Sequence, residues 1–241
     1  MNFLAELWRR ALANQPVPNA QGSALLAVVA LLAVSFAWQV VRTLVTICHE
    51  SGHALVAVLV GRRLNGVRVH SDTSGLTVSR GRPKGPGMVA TLFAGYLAPA
   101  IVGLGSAALA GTGHASGVLW LLVLLAVVLL VWIRNLYGAL VIIAAGIGVA
   151  LVTWYAPPSA LGWIATGLAW LFLIAAPRPV LELFRSRSTT TDAAQLAALT
   201  HIHRYVWGLL WLVLTIGALV AGALWMIPGL YQAVASLGAP A

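Results

Sequence analysis

The sequence predicts an all-α protein, a polytopic transmembrane helical bundle of about six spans. Two observations carry that reading. Of 241 residues, 61% are hydrophobic and only 8% are charged, where a soluble globular chain is about 25% charged. The apolar residues also fall into long runs, several of them as long as the roughly 20 residues a helix needs to cross a bilayer. Soluble folds are excluded by this composition. Fourteen Lys and Arg stand against five acids. In a soluble protein that excess would suggest nucleic acid. Here it is assigned to cytoplasmic loops facing anionic lipid, and no nucleic-acid partner is expected. The single Cys48 excludes an internal disulfide.

Residues 1–23 read as an interfacial segment, and residues 24–241 as one transmembrane domain. Phe3, Leu4, Leu7, Trp8, Ala11 and Leu12 recur at helical spacing beside Arg9 and Arg10, which suits a short helix on the membrane surface. It does not read as a convincing signal peptide, because the long apolar run starts only after Pro16, Pro18 and Asn19. The first span is read over 24–60 as one long or tilted helix, interrupted by Gln39, Arg42 and a polar motif. Residues 61–87 form a basic loop. Within it Val67–His70 and Leu76–Ser79 read as short strands joined by the turn residues Ser71-Asp72-Thr73-Ser74-Gly75. Further spans are expected at 88–110, 115–133, 136–155 and 159–176. The first of these carries Ala90, Ala94 and Ala98 at four-residue spacing, a small-residue face on which another helix can pack closely, and Pro99 is expected to kink it. Residues 177–204 read as a second polar loop with a short helix from Thr191-Asp192, and the last span as 205–227.

Counting spans sets the topology. The loops at 61–87, 134–135 and 177–204 share one face, and eleven of the 14 basic residues lie on it. The positive-inside rule makes that face cytoplasmic, with both termini outside.

The motif in the first span is His49-Glu50-Ser51-Gly52-His53. Histidines at i and i+4 share one face of a helix, so both imidazoles can reach one metal ion, zinc being the one expected. Glu50 stands where it can take a proton from an attacking water. Ionisable residues are costly inside a membrane, so these are functional candidates. A catalytic zinc also needs a third protein ligand. Asp192 is the best candidate on the site face, although with Gln195 three residues on it equally reads as a helix start. Asn135 is a poor zinc ligand. It reads as a hydrogen-bonding group toward substrate or oxyanion, or as a cap on the adjacent span. His201 and His203 read as interface anchors that could also coordinate metal. His70 and His114 are loop residues, Asp72 a turn residue, and Cys48 a packing residue turned about 100° from His49.

At Thr46-Ile47-Cys48-His49-Glu50-Ser51-Gly52-His53-Ala54-Leu55 the chain resembles the site-2 protease family of intramembrane zinc metalloproteases. Ala94-Gly95-Tyr96-Leu97-Ala98-Pro99-Ala100 is similar to the small-residue helix that follows the motif in bacterial members. Arg134-Asn135-Leu136-Tyr137-Gly138 and Thr191-Asp192-Ala193-Ala194 resemble later landmarks of a compact bacterial branch. The resemblance implies an integral protein of a bacterial plasma membrane that hydrolyses peptide bonds of membrane protein or peptide substrates. His49 and His53 would be zinc ligands and Glu50 the general base. Members of the family take a third ligand from an Asp-Gly pair on a later span. This chain contains no Asp-Gly, so either the ligand has moved to Asp192 or the site is degenerate. The alternative is a non-catalytic metal-binding membrane scaffold, in which Glu50→Gln would preserve function and His49→Ala would not.

Overall fold

The computed structural model describes residues 2–232. The side chains of Phe3 and Leu4 and the tail at 233–241 lie outside the described residues. The elements run in the order α1 (Phe3–Ala11), α2 (Ala20–Phe36), α3 (Trp38–Leu59), β1 (Arg63–Val69), β2 (Gly75–Arg80), α4 (Pro86–Gly111), α5 (Ala115–Trp132), α6 (Leu136–Tyr155), α7 (Pro158–Ala175), α8 (Pro177–Arg185), α9 (Asp192–Thr200) and α10 (Arg204–Met226). Five stretches are long and apolar enough to cross a membrane: α4, α5, α6, α7 continued by α8, and α10. The pair α2 and α3 makes a sixth when the two are counted as one broken span.

That pair corrects the expectation of one helix over 24–60. The chain bends by 99° between α2 and α3, with Ala37 closing one helix and preceding the next. No Pro or Gly marks the break in the sequence. Two side chains from the distant segment Pro177–Arg185 bracket it instead. Arg178 donates to Val34 O, one of the carbonyls at the end of α2, and lies 4.3 Å over the Trp38 ring. Glu182 accepts from Trp38 Nε1 at 2.9 Å and faces Arg42 at 3.6 Å and Arg178 at 3.8 Å.

The same contacts correct the second polar loop. Residues Pro177–Arg185 are helical and extend α7. Proline is tolerated in the first turn of a helix, where an N–H has no partner to lose, and α8 starts on Pro177. Val180 and Leu183 then bury one face of α8 against Leu92, Ala193, Leu196 and Trp211. This cluster also seats α9 beneath α4.

Small residues let the helices close. A Cβ on Gly52 of α3 would stand 2.6 Å from Ala98 Cβ and 2.9 Å from Ala94 O of α4, so the alanine face anticipated on α4 does carry the motif helix. The helix runs through buried Pro99 to Gly111. In the centre, Ala169, Trp170 and Leu173 of α7 pack with Ala30, Ala107 and Met226. Large apolar side chains on α5, α6 and α10, among them Leu124, Val131, Ile147, Leu151, Leu209 and Val213, face outward. In a bilayer their solvent is acyl chain, which suits helices whose backbone groups are satisfied internally.

The hairpin is longer than the two strands read from sequence. It pairs Val67 with Thr77, Arg68 with Leu76 and Val69 with Gly75. Asp72 makes the turn, with Oδ1 accepting from Ser74 N at 2.9 Å and Ser74 Oγ at 2.6 Å. Those bonds lower its carboxyl pKa. On its outer edge β1 meets the α5–α6 junction. Arg134 N donates to Val67 O at 2.8 Å, and the Asn135 amide takes both backbone groups of Val69.

Candidate metal centre

Three groups converge from two elements. His49 and His53 lie one turn apart on α3, with Nε2 atoms 2.9 Å apart. Asp192, the first residue of α9, brings Oδ2 to 3.1 Å from His49 Nε2 and 3.2 Å from His53 Nε2. Ligands of a tetrahedral zinc with bonds of about 2.0–2.1 Å stand roughly 3.3 Å from one another. The three atoms fit that triangle within a few tenths of an ångström, and they can hold one metal ion.

The surroundings favour the same use. His53 Nδ1 donates to Thr91 O at 2.7 Å. This bond fixes the tautomer and leaves the Nε2 lone pair free, a recurring support for metal-binding imidazoles. Gly95 of α4 stands against both rings: a Cβ there would lie 2.5 Å from His53 Nε2 and 2.7 Å from His49 Cε1. Tyr96 packs its ring edge-on to His49, with centroids 4.7 Å apart.

The helix start at Asp192 is capped by another residue. Thr191 is the N-cap, its Oγ1 accepting from Ala194 N at 3.3 Å, while Gln195 Nε2 donates to Thr190 O at 2.9 Å. The Asp192 carboxylate is therefore released from capping and faces the imidazoles. Burial pushes its pKa up, but the neighbouring His53 and His49 outweigh that and hold the carboxyl well below its ordinary value.

Glu50 is buried, and its Oε2 accepts from the Thr77 hydroxyl at 2.6 Å. Gly75 of β2 makes room for it, since a Cβ there would stand 2.5 Å from Glu50 Oε1. The hairpin thus sits directly on the motif.

The other residues singled out in the sequence lie elsewhere. Asn135 is engaged by β1. Its Oδ1 accepts from Val69 N at 3.2 Å and its Nδ2 donates to Val69 O at 2.7 Å. It occupies the N-cap position of α6 but makes no side-chain capping bond. His203 caps α10 through Tyr205 N, and His201 closes α9 in a left-handed conformation at φ 61°. His70 lies in the hairpin turn and His114 precedes α5. Cys48 lines an apolar cavity with Leu122, Leu129 and Phe172, on a different face of α3 from the histidines.

Two cavities meet at the motif. One, of about 300 Å³, runs past His53, Thr91, Gln195 and β2. The other, of about 340 Å³, runs past Arg42, Thr46, Pro99 and Pro179. His49, Glu50, Gly75, Tyr96 and Thr191 line both. Thr77, Thr91 and Tyr96 were not singled out from sequence. Each is an ordinary helix or strand residue until its partner across the fold is known.

No curated protein and no solved structure matches this chain. The family model described as Peptidase M50B-like matches residues 22–222, a stretch that holds the motif, the hairpin and Asp192. The chain belongs to this family of site-2 protease-like membrane peptidases.

Proposed function

We propose that the protein is a membrane-embedded zinc metalloprotease that hydrolyses peptide bonds of membrane-associated substrates. The observation that carries this reading is the convergence of His49, His53 and Asp192 within 3.2 Å, with Glu50 beside them. These three residues would hold the metal. Zinc held there would supply a Lewis acid for the scissile carbonyl and would acidify the attacking water to a pKa of about 7. Glu50 accepts the proton of the attacking water and delivers it to the leaving amine. Thr77 holds Glu50 Oε2, which leaves Oε1 for the water.

The hairpin supplies a place for an unwound substrate. Val67 and Val69 turn their backbone groups toward Arg134 and Asn135. Their non-hydrogen-bonded partners Thr77 and Gly75 therefore turn theirs away from β1, along the outer edge of β2. That edge borders the cavity at the motif. An extended peptide can add there as a third strand, with main-chain bonds giving affinity without demanding a sequence. The site is read as facing the cytoplasm of a bacterial plasma membrane, on the face that carries most of the arginines.

Metal analysis of the purified protein tests the reading. Near-stoichiometric zinc is expected, falling in His49→Ala and Asp192→Ala and surviving in Glu50→Gln and Asn135→Ala. Cleavage of a membrane-anchored reporter should be lost in Glu50→Gln. Absence of zinc from the parent under zinc-replete conditions would sink the protease.

A further inference from the structure

We propose that Tyr96 is a further catalytic residue, whose hydroxyl donates a hydrogen bond to the scissile carbonyl oxygen as that oxygen gains negative charge. The inference rests on the protease reading and extends it to a residue outside the motif. Tyr96 lines both cavities, together with His49, Glu50, Gly75 and Thr191, so a substrate that occupies both meets these five residues. In the proposed reaction His49 is committed to metal and Glu50 to the water. Gly75 has no side chain, and Thr191 is tied to the start of α9, its oxygen accepting from Ala194 N while its proton stays available. Tyr96 brings the phenol. Its hydroxyl makes no hydrogen bond among the described residues, and unlike the indole nitrogens of Trp120 and Trp207 it is not a fully buried atom; the residue lines the cavity at the motif.

The ring is also held in place. It lies edge-on to His49 at 4.7 Å and tilted against Trp211 at 4.5 Å. Trp211 is itself fully buried and bonded through Nε1 to Phe93 O at 3.0 Å. A donor fixed before the reaction needs no reorganisation when charge develops, and this is what makes an oxyanion donor effective. Asn135, the amide the sequence offered for the task, is occupied by Val69. The tyrosine keeps its proton throughout: it donates a hydrogen bond and transfers nothing.

The test compares wild type and Tyr96→Phe, both zinc-loaded in detergent, with two peptide-like probes. A phosphinate dipeptide analogue presents a charged oxygen where the carbonyl oxygen would be. A thiol of the same side chains contacts the metal through sulfur and carries no such oxygen. Zinc content and thiol affinity should be equal in the two proteins, because the phenyl ring keeps its packing. Phosphinate affinity should fall about 10- to 100-fold, as expected for loss of a hydrogen bond to a charged acceptor. Equal phosphinate affinity at equal zinc content overturns the role of Tyr96. A wild-type protein that holds zinc yet binds neither probe overturns the protease reading, and this inference with it.

Discussion

At the scale of single residues, the site depends on what is missing as much as on what is present. Gly95 leaves the space that both imidazoles fill. Gly95→Ala should lower zinc affinity about 10- to 100-fold, the range seen when the support around a metal ligand is disturbed, with helical content unchanged by circular dichroism. Thr77 acts through its hydroxyl on Glu50. Thr77→Val should therefore slow cleavage while leaving zinc in place, and Thr77→Ser should restore the rate. Both are read by single-turnover assays beside metal analysis. Asp192 has a definite pH signature. Its folded-state pKa lies below the ordinary 3.8, so its stabilising contribution is complete above that value and is lost only as pH falls through the depressed one. Acidification from pH 7 to 5 leaves it ionised. Zinc released over that interval reports protonation of ligands other than Asp192.

At the scale of elements, two junctions decide where the motif stands. The first is the break at Ala37, where Arg178 and Glu182 of α8 hold the ends of α2 and α3. The Arg178 head is partly exposed, so its ion pair counts for little, but its bond to a helix-end carbonyl counts for more. Arg178→Met should cost about 1–2 kcal/mol, a fall of several degrees in Tm for a chain of this size, followed by thermal scanning in detergent. The second junction is Asn135, whose amide stands in for a neighbouring strand along Val69. Because it closes the outer edge of β1, the open edge of the hairpin is the one that borders the cavity lined by His49, His53 and Asp192. Asn135→Ala should increase hydrogen exchange of β1 with no change in zinc.

At the scale of the whole molecule, the basic loops and the site lie on one face. His114 lies at the far end of α4 from Lys84, so the two mark opposite sides of the membrane. The lone Cys48 is buried, which gives a quiet background for labelling. Cysteines placed at Arg80 and Arg187 should react with an impermeant maleimide only from the cytoplasmic side, and one at His114 only from outside. The reverse pattern would turn the site away from the cytoplasm and overturn the assigned orientation.

The sequence by itself determined the bundle, its apolar stretches, the hairpin turn and the pairing of His49 with His53. Each is a local matter: apolar length, turn chemistry and the i, i+4 geometry of one helix. It also made Asp192, one of only two aspartates, the best candidate for the third group, with His201 and His203 as further candidates and a helix cap as its other reading. Only the tertiary structure decided that Thr191 takes the cap and that the cluster of Leu92, Val180, Leu196 and Trp211 carries α9, with Asp192 at its start, to the motif. It also decided the 99° bend, the helix at 177–185 and the engagement of Asn135 by the hairpin. These depend on groups far apart in the chain meeting through packing, and no local period or spacing encodes such a meeting.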